Sequence, residues 1–276
     1  MKNVGDFKNL RHLNPKKQIN PLDDILNYLI AEQPEYANIV IPADTDGKRR
    51  LMRSLLNVRQ PKPVSDEFLK AQDMELKTQC DEKGIVRMDD IPSCVSDGRL
   101  KLWQGDITRL KVDAIVNAAN AAILGCFVPL HRCIDNAIHS AAGVQLRLEC
   151  SKLMQRQGRQ EQTGKAKITQ GYNLPAKHVI HTVGPIIGDG VVTKQAEQQL
   201  ADCYRSCLKL ADDNGVRSIA FCCISTGEFK FPNQRAAEIA VATVTEYLNQ
   251  TAATGIETVL FNVFKDNDFT IYQRLL

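Results

Sequence analysis

Apolar positions along the chain follow two textures that change near residue 90. Up to that point they recur at helical spacing. After Pro21, the residues Leu22, Ile25, Leu26, Leu29 and Ile30 line one helical face. Leu51, Met52, Leu55 and Leu56 mark a second helix. Past the Pro61-Lys62-Pro63 break a third is predicted from Ser65, a good N-cap followed by Asp66 and Glu67. Beyond Asp89-Asp90-Ile91-Pro92, short β-like runs at 100–104, 113–117, 167–169, 178–183, 218–224 and 258–264 alternate with helical segments. Ile134, Ala137, Ile138 and Ala141 mark one of these helices. Leu200, Tyr204, Cys207, Leu208 and Ala211 mark another, which stops at Asn214-Gly215. A third follows Pro232, with Ala237, Ala240, Val241, Val244 and Leu248 on one face, and a last one is predicted from Asp268 to the C-terminus. The alternation predicts an α/β layered fold over residues 91–276, preceded by a helical N-terminal extension over residues 1–90.

Composition narrows the class further. A chain of 276 residues with 43% hydrophobic content is long enough to bury a sizeable core without staples. The formal net charge is +3, with basic and acidic residues interspersed, so nucleic-acid binding is not expected. Apolar stretches such as 112–116 are far too short to span a bilayer, and no membrane association is expected. Nine cysteines, two of them adjacent (Cys222 and Cys223), and the lack of an apolar run at the start of the sequence predict a reducing, cytoplasmic setting.

Three stretches carry candidate binding chemistry, because loops after strands in α/β sheets expose main-chain N–H groups to a ligand. Val116-Asn117-Ala118-Ala119-Asn120 is a strand end whose two carboxamides suit sugar hydroxyls. Ile224-Ser225-Thr226-Gly227-Glu228-Phe229 is a strand end followed by hydroxyls and a glycine, and its N–H groups suit a diphosphate. In Gly105-Asp106-Ile107-Thr108 a carboxylate follows a strand. Asp106 there is either an acceptor for an exocyclic amine or an ordinary turn or cap residue.

These stretches, with 112–120, Ala137-Ile138-His139-Ser140-Ala141-Ala142-Gly143, Thr163-Gly164-Lys165-Ala166, Gly171-Tyr172-Asn173-Leu174-Pro175 and 179–185, resemble the macrodomain family in order and spacing over roughly residues 95–276. The resemblance implies a three-layer α/β/α fold with a mixed sheet and a cleft for ADP-ribose. By position it implies that Asp106 and Ile107 hold the adenine end and that Asn117 and Asn120 face the distal ribose. Ser225, Thr226, Gly227 and Glu228 would cradle the diphosphate, with Phe229 packing near the distal ribose.

Most members carry a glycine run before the Ala-Ile-His helix. Here residues 125–136 read Gly-Cys-Phe-Val-Pro-Leu-His-Arg-Cys-Ile-Asp-Asn instead. That replacement, like the helical extension, resembles the zinc-dependent branch of the family, which are microbial protein-ADP-ribose hydrolases. Cys126, His131 and Cys133 suit zinc, and three protein ligands leave one position open, as in catalytic sites. Read without the family, such a cluster more often means packing, because cysteine is among the commonest buried residues. His139 is set aside as a ligand, because relatives without zinc share it.

The resemblance implies hydrolysis at the anomeric carbon of the distal ribose, the ion fixing a ribose hydroxyl or a water there. Asp135 would orient or deprotonate the water, or else serve as an N-cap, and Asn120 would position the ribose. The implied partner is an ADP-ribosylated protein, such as a lipoyl-carrier protein modified by a sirtuin-type ADP-ribosyltransferase. Two alternatives use the same cleft: a reader that binds ADP-ribose without cleaving, and a deacetylase of O-acetyl-ADP-ribose.

Overall fold

A computed structural model describes residues 21–188, 190–251 and 254–276 of the chain; residues 1–20 of the expected extension lie outside them. The N-terminal helices are α1 (Pro21–Ala31), α2 (Thr45–Val58) and α3 (Asp66–Lys83). Ser65 caps α3, its Oγ accepting from the Phe68 amide at 3.2 Å, and Asp44 caps α2 by accepting from the Gly47 amide. The apolar faces of these helices, with Leu26, Met52, Leu55 and Phe68 among their members, meet in a core of their own that also takes in Val144.

The rest of the chain forms β1 (Val86–Arg87), β2 (Leu100–Gln104), β3 (Leu110–Lys111), β4 (Ala114–Ala119), α4 (Ile134–Ala142), α5 (Val144–Gln157), β5 (Ala166–Gln170) and β6 (His178–Val183). It continues with α6 (Lys194–Asp213), β7 (Ser218–Phe221), α7 (Asn233–Gln250), β8 (Thr258–Val263) and α8 (Asp266–Leu275). Six strands make one sheet in the order β2-β8-β7-β4-β6-β5, parallel throughout except for the antiparallel β5–β6 pair. β1 and β3 form a separate parallel pair. Residues on both sides of β4, β7 and β8 are buried, as befits a parallel sheet with helices on each face. Helices α4 and α5 pack on β4 and β5, while α6, α7 and α8 form a second helical group, giving the three-layer mixed-sheet architecture.

Helix α5 escapes prediction from periodicity, because its buried face includes Arg147 and Ser151 beside Leu146 and Cys150, which breaks the apolar stripe. The run expected over 218–224 leaves the sheet at Phe221, although Cys222 and Ile224 remain in the core. No helix among the described residues is long and apolar enough to cross a membrane.

Strands β2, β8, β7, β4 and β6 share one direction. The turns leaving their carboxyl ends therefore gather along one edge of the sheet, where open α/β sheets hold ligands. All three stretches singled out for binding chemistry lie on that edge.

Candidate functional site

The loop 120–133 joins β4 to α4 and brings most of the candidate chemistry together. The sulfur and imidazole nitrogen donors of Cys126, His131 and Cys133 lie within 4.8 Å of one another. All three residues are partly buried, and among the described residues no fourth donor joins the group. Burial pushes the Cys133 thiol up to about 12; the neighbouring Cys126 adds to the shift, and the amide of Asn136 opposes it. Two thiols packed this closely ionise together only beside a cation. The donor set is the borderline-soft one that zinc favours, so the residues present fit that ion.

Cys133 also caps α4, its Sγ accepting from the Asn136 amide at 3.4 Å. Asp135 is therefore not the cap and is free for other work. Its carboxylate accepts from Asn117 Nδ2 at 2.8 Å and from Asn120 Nδ2 at 3.4 Å, and it is 4% exposed. Burial pushes the Asp135 carboxyl up to about 6, against the Asn117 hydrogen bond and the charge of Arg147. A carboxyl poised near neutrality suits a general base.

Asn117, expected to face the distal ribose, is fully buried beneath Asp135. Its Nδ2 also lies 3.1 Å from His181 Nδ1, and an amide nitrogen can only donate, so that ring nitrogen accepts. His181 Nε2 lies 3.0 Å from Thr169 Oγ1, completing a buried chain that orients Asp135 from below. Asn120 is partly exposed beside Asp135, with its Nδ2 donating to the Gly125 carbonyl and its Oδ1 accepting from Ala122.

His139 does not join the Cys126 group. It falls with Cys150 and His181 in a wholly buried cluster, and its Nε2 is 3.6 Å from Asp135 Oδ1, too long for a hydrogen bond. Its ring lies directly under Gly125, where an added Cβ would come within 2.8 Å of His139 Cγ. Gly125 also has φ +81°, so both the close approach and the backbone require glycine.

Across the cleft, loop 222–229 follows β7. Ser225 adopts φ +65°, is buried, and has an Oγ without a hydrogen-bond partner, the kind of orphaned group and local strain that mark binding sites. Thr226 Oγ1 donates to the Cys223 carbonyl, Gly227 and Glu228 are exposed, and Phe229 is partly buried. Glu228 reaches back across the cleft to within 3.8 Å of His131 Nε2.

At the far end, Asp106 Oδ1 accepts from the Thr108 amide and hydroxyl, and its Oδ2 lies 3.4 Å from Lys83 of α3. Burial works to raise this carboxyl, but Thr108 and Lys83 outweigh it and hold it below its ordinary value. The Ile107 side chain lies in the core, so toward a ligand it offers main chain only. A cavity of about 130 Å³, lined in part by Met52, Arg53, Lys83, Asp106 and Ala137, opens between α2, α3 and this turn.

Sequence reasoning misses Phe264. It follows β8 beside the Asp106 turn and is 75% exposed, a ring left free for stacking at the ligand edge. Periodicity alone counts it as the last strand residue. An aromatic at a strand end in an α/β fold is the signal that could have found it.

The Macro domain family matches residues 116–240 of the chain. A protein of Treponema medium named protein-ADP-ribose hydrolase is 50% identical over 254 residues, covering 91% of this chain and 96% of that protein. A protein of Staphylococcus aureus strain MSSA476 with the same name is 49% identical over 253 residues, covering 92% of this chain and 94% of its own length. Among solved structures, the Trypanosoma brucei macrodomain in complex with ADP-ribose superposes with a TM-score of 0.63 at 31% identity, covering 78% of this chain and 91% of that one.

Proposed function

The chain belongs to the macrodomain family, and we propose that it is a protein-ADP-ribose hydrolase whose zinc ion is held by Cys126, His131 and Cys133. Relatives near 50% identity over almost their whole length carry the hydrolase name, and a solved neighbour binds ADP-ribose. The observation that carries the reading is the loop from Asn120 to Asp135. Over Asn117 of β4, it sets a buried carboxyl near neutrality, the Asn120 carboxamide and the three-donor group side by side.

Adenine lies at the Asp106 end, stacked on Phe264, and the diphosphate lies on the main chain of Ser225 to Glu228. The distal ribose reaches the loop 120–133. Asn120 orients the sugar, and Asp135 accepts a proton from the water that adds to the anomeric carbon. As the bond from that carbon to the modified side chain breaks, the proton passes to the leaving side chain, and free ADP-ribose and the restored residue are the products. Cys126, His131 and Cys133 would hold zinc, which when bound would supply a Lewis acid at the distal-ribose end of the cleft.

A reader that only binds ADP-ribose would need no open position. The three-donor group favours hydrolysis over that alternative. The substrate is an ADP-ribosylated protein. Its narrower identity as a lipoyl-carrier protein modified by a sirtuin-type transferase rests on the sequence resemblance alone.

The deciding assay measures release of free ADP-ribose from Ser-, Asp/Glu- and Arg-linked protein substrates, with and without a chelator. Release from at least one linkage, lost with the metal and in Cys126→Ala, is the expected result. Undiminished release after verified removal of zinc would remove the metal from the mechanism.

A further inference from the structure

We propose that Asn57, at the end of α2 and outside the sheet, is a positioning residue for the metal loop, with Arg53 of the same helix as its partner. The inference rests on the reading of Cys126, His131 and Cys133 as metal ligands. Its observations are those of the loop's main chain.

Leu130 precedes the ligand His131 and has φ +57°, a left-handed conformation that leucine rarely adopts. Its amide donates to Asn57 Oδ1 at 2.9 Å, and Asn57 is 1% exposed. On the other side of the same ligand, the His131 carbonyl accepts from Arg53 Nη2 at 3.1 Å. The peptide that follows His131 and the one that precedes Leu130 are thus both held from α2. Arg53 also grips Asn136 Oδ1 at 2.8 Å, and Asn136 Nδ2 in turn donates to the carbonyls of Val128 at 3.0 Å and Cys126 at 3.5 Å.

The helix therefore fixes the backbone beside two of the three donors. A loop of this length containing a left-handed leucine keeps one shape only when its surroundings over-determine it. The main-chain hydrogen bonds from Asn57 and Arg53 supply that determination. They are outer-shell contacts of the kind whose loss weakens metal sites without touching a ligand.

Asn57 has a second contact, with Nδ2 donating to Ser140 Oγ at 2.9 Å, which separates two roles. Asn57→Leu keeps the side chain's shape but loses the acceptor for Leu130. Ser140→Ala removes the contact between Asn57 and Ser140, and with it the Ser140 Oγ hydrogen bonds to the Asn136 carbonyl at 2.6 Å and to Asn136 Oδ1 at 3.4 Å, but leaves the Leu130 acceptor and both Arg53 contacts in place. Arg53→Met releases His131 and Asn136 from a half-buried position whose change leaves the core intact.

The experiment measures zinc affinity by competition with a chromogenic chelator and records the thiolate-to-cobalt absorption of the Co(II)-substituted full chain. ADP binding serves as a readout of the cleft away from the loop. Asn57→Leu and Arg53→Met are each expected to weaken zinc binding by about 10- to 100-fold and to shift the cobalt spectrum. In Asn57→Leu, ADP affinity is expected to stay within about twofold of the parent, because Asn57 lies away from the Asp106 cavity that Arg53 helps to line. Ser140→Ala is expected to bind zinc like the parent.

Parent-like zinc affinity in both α2 variants, or an equal loss in Ser140→Ala, would overturn the proposal. If Asn57→Leu does not fold, Arg53→Met decides alone. A parent chain that binds no zinc is a separate result, which overturns the metal reading and this proposal with it.

Discussion

Arg147 joins the N-terminal helices to the loop 120–133, and replacing it with methionine tests how much that joint is worth. From the buried face of α5, its Nη1 donates to the carbonyls of Leu56 and Asn57 at 2.9 Å and of Arg59 at 2.6 Å, and its Nε donates to Leu124 at 2.8 Å. Its guanidinium also stacks 4.3 Å from the Phe127 ring centre, inside that loop. Burial pulls the guanidinium down to about 10, with the charges of Asp135 and the nearby cysteines opposing, so placing the charge here is itself unfavourable.

Hydrogen bonds to a charged group contribute about 1.5–3 kcal/mol each, and desolvation of the charge opposes them by several kcal/mol. Methionine retains the stem's packing and recovers the desolvation term, but it strands the carbonyls at the end of α2. A cavity of about 20 Å³ beside Arg147 has room for one water, which can re-satisfy only one or two of the four acceptors. The net loss is then about 3 kcal/mol, a fall in Tm of roughly 6–12 °C for a chain of this size. Thermal unfolding followed by circular dichroism checks it. Arg147→Lys should recover less than half, because an ammonium lacks the planar fork. A fall below about 2 °C in Arg147→Met would refute the reasoning, since it would mean the carbonyls rehydrate freely.

Three further outcomes follow from the site and its support. Asp135→Asn should lower kcat by about 10²–10⁴ while ADP-ribose binding holds, and a kcat within about tenfold of the parent would exclude Asp135 as the base. Phe264→Ala should weaken ADP-ribose binding by about 0.5–1.5 kcal/mol in calorimetric titration, and unchanged affinity would place the base elsewhere. His181 is held neutral by burial, down to about 3, so the unfolded chain takes up a proton below about 6.5 that the folded chain refuses. Stability from this group is therefore present above pH 6.5 and falls as pH drops from there toward 3, by about 1.4 kcal/mol per pH unit. In His181→Gln, denaturant unfolding across that window should show a slope shallower by that amount, and an unaltered slope would mean that His181 protonates in the fold.

Much of the molecule is legible in the sequence because it follows local rules. The amphipathic spacing in α1 and α2, the Ser65 cap of α3 and the apolar runs of β2, β6 and β8 announce themselves through periodicity and hydrogen-bonding chemistry within a few residues. The closeness of Cys126, His131 and Cys133 is legible too, since eight consecutive residues hold all three, and a short loop keeps its own members close.

What local rules cannot supply are contacts between distant segments. Asp135 reads as a helix cap until Cys133 is seen in that position, and its pKa is raised only because tertiary packing buries it, against the hydrogen bond it accepts from Asn117 of another element. Arg147 reads as a surface charge on an unpromising segment, yet it is buried against carbonyls some ninety residues away. Asn57 and Arg53 read as the polar side of a helix, and only the docking of that helix on α4 turns them toward the loop. The sequence by itself determined which elements form and which donors lie close along the chain, because spacing and propensity act over a few residues. Which polar side chains end in the interior was decided by tertiary packing alone, since desolvation and hydrogen-bond partners depend on what lies opposite in space.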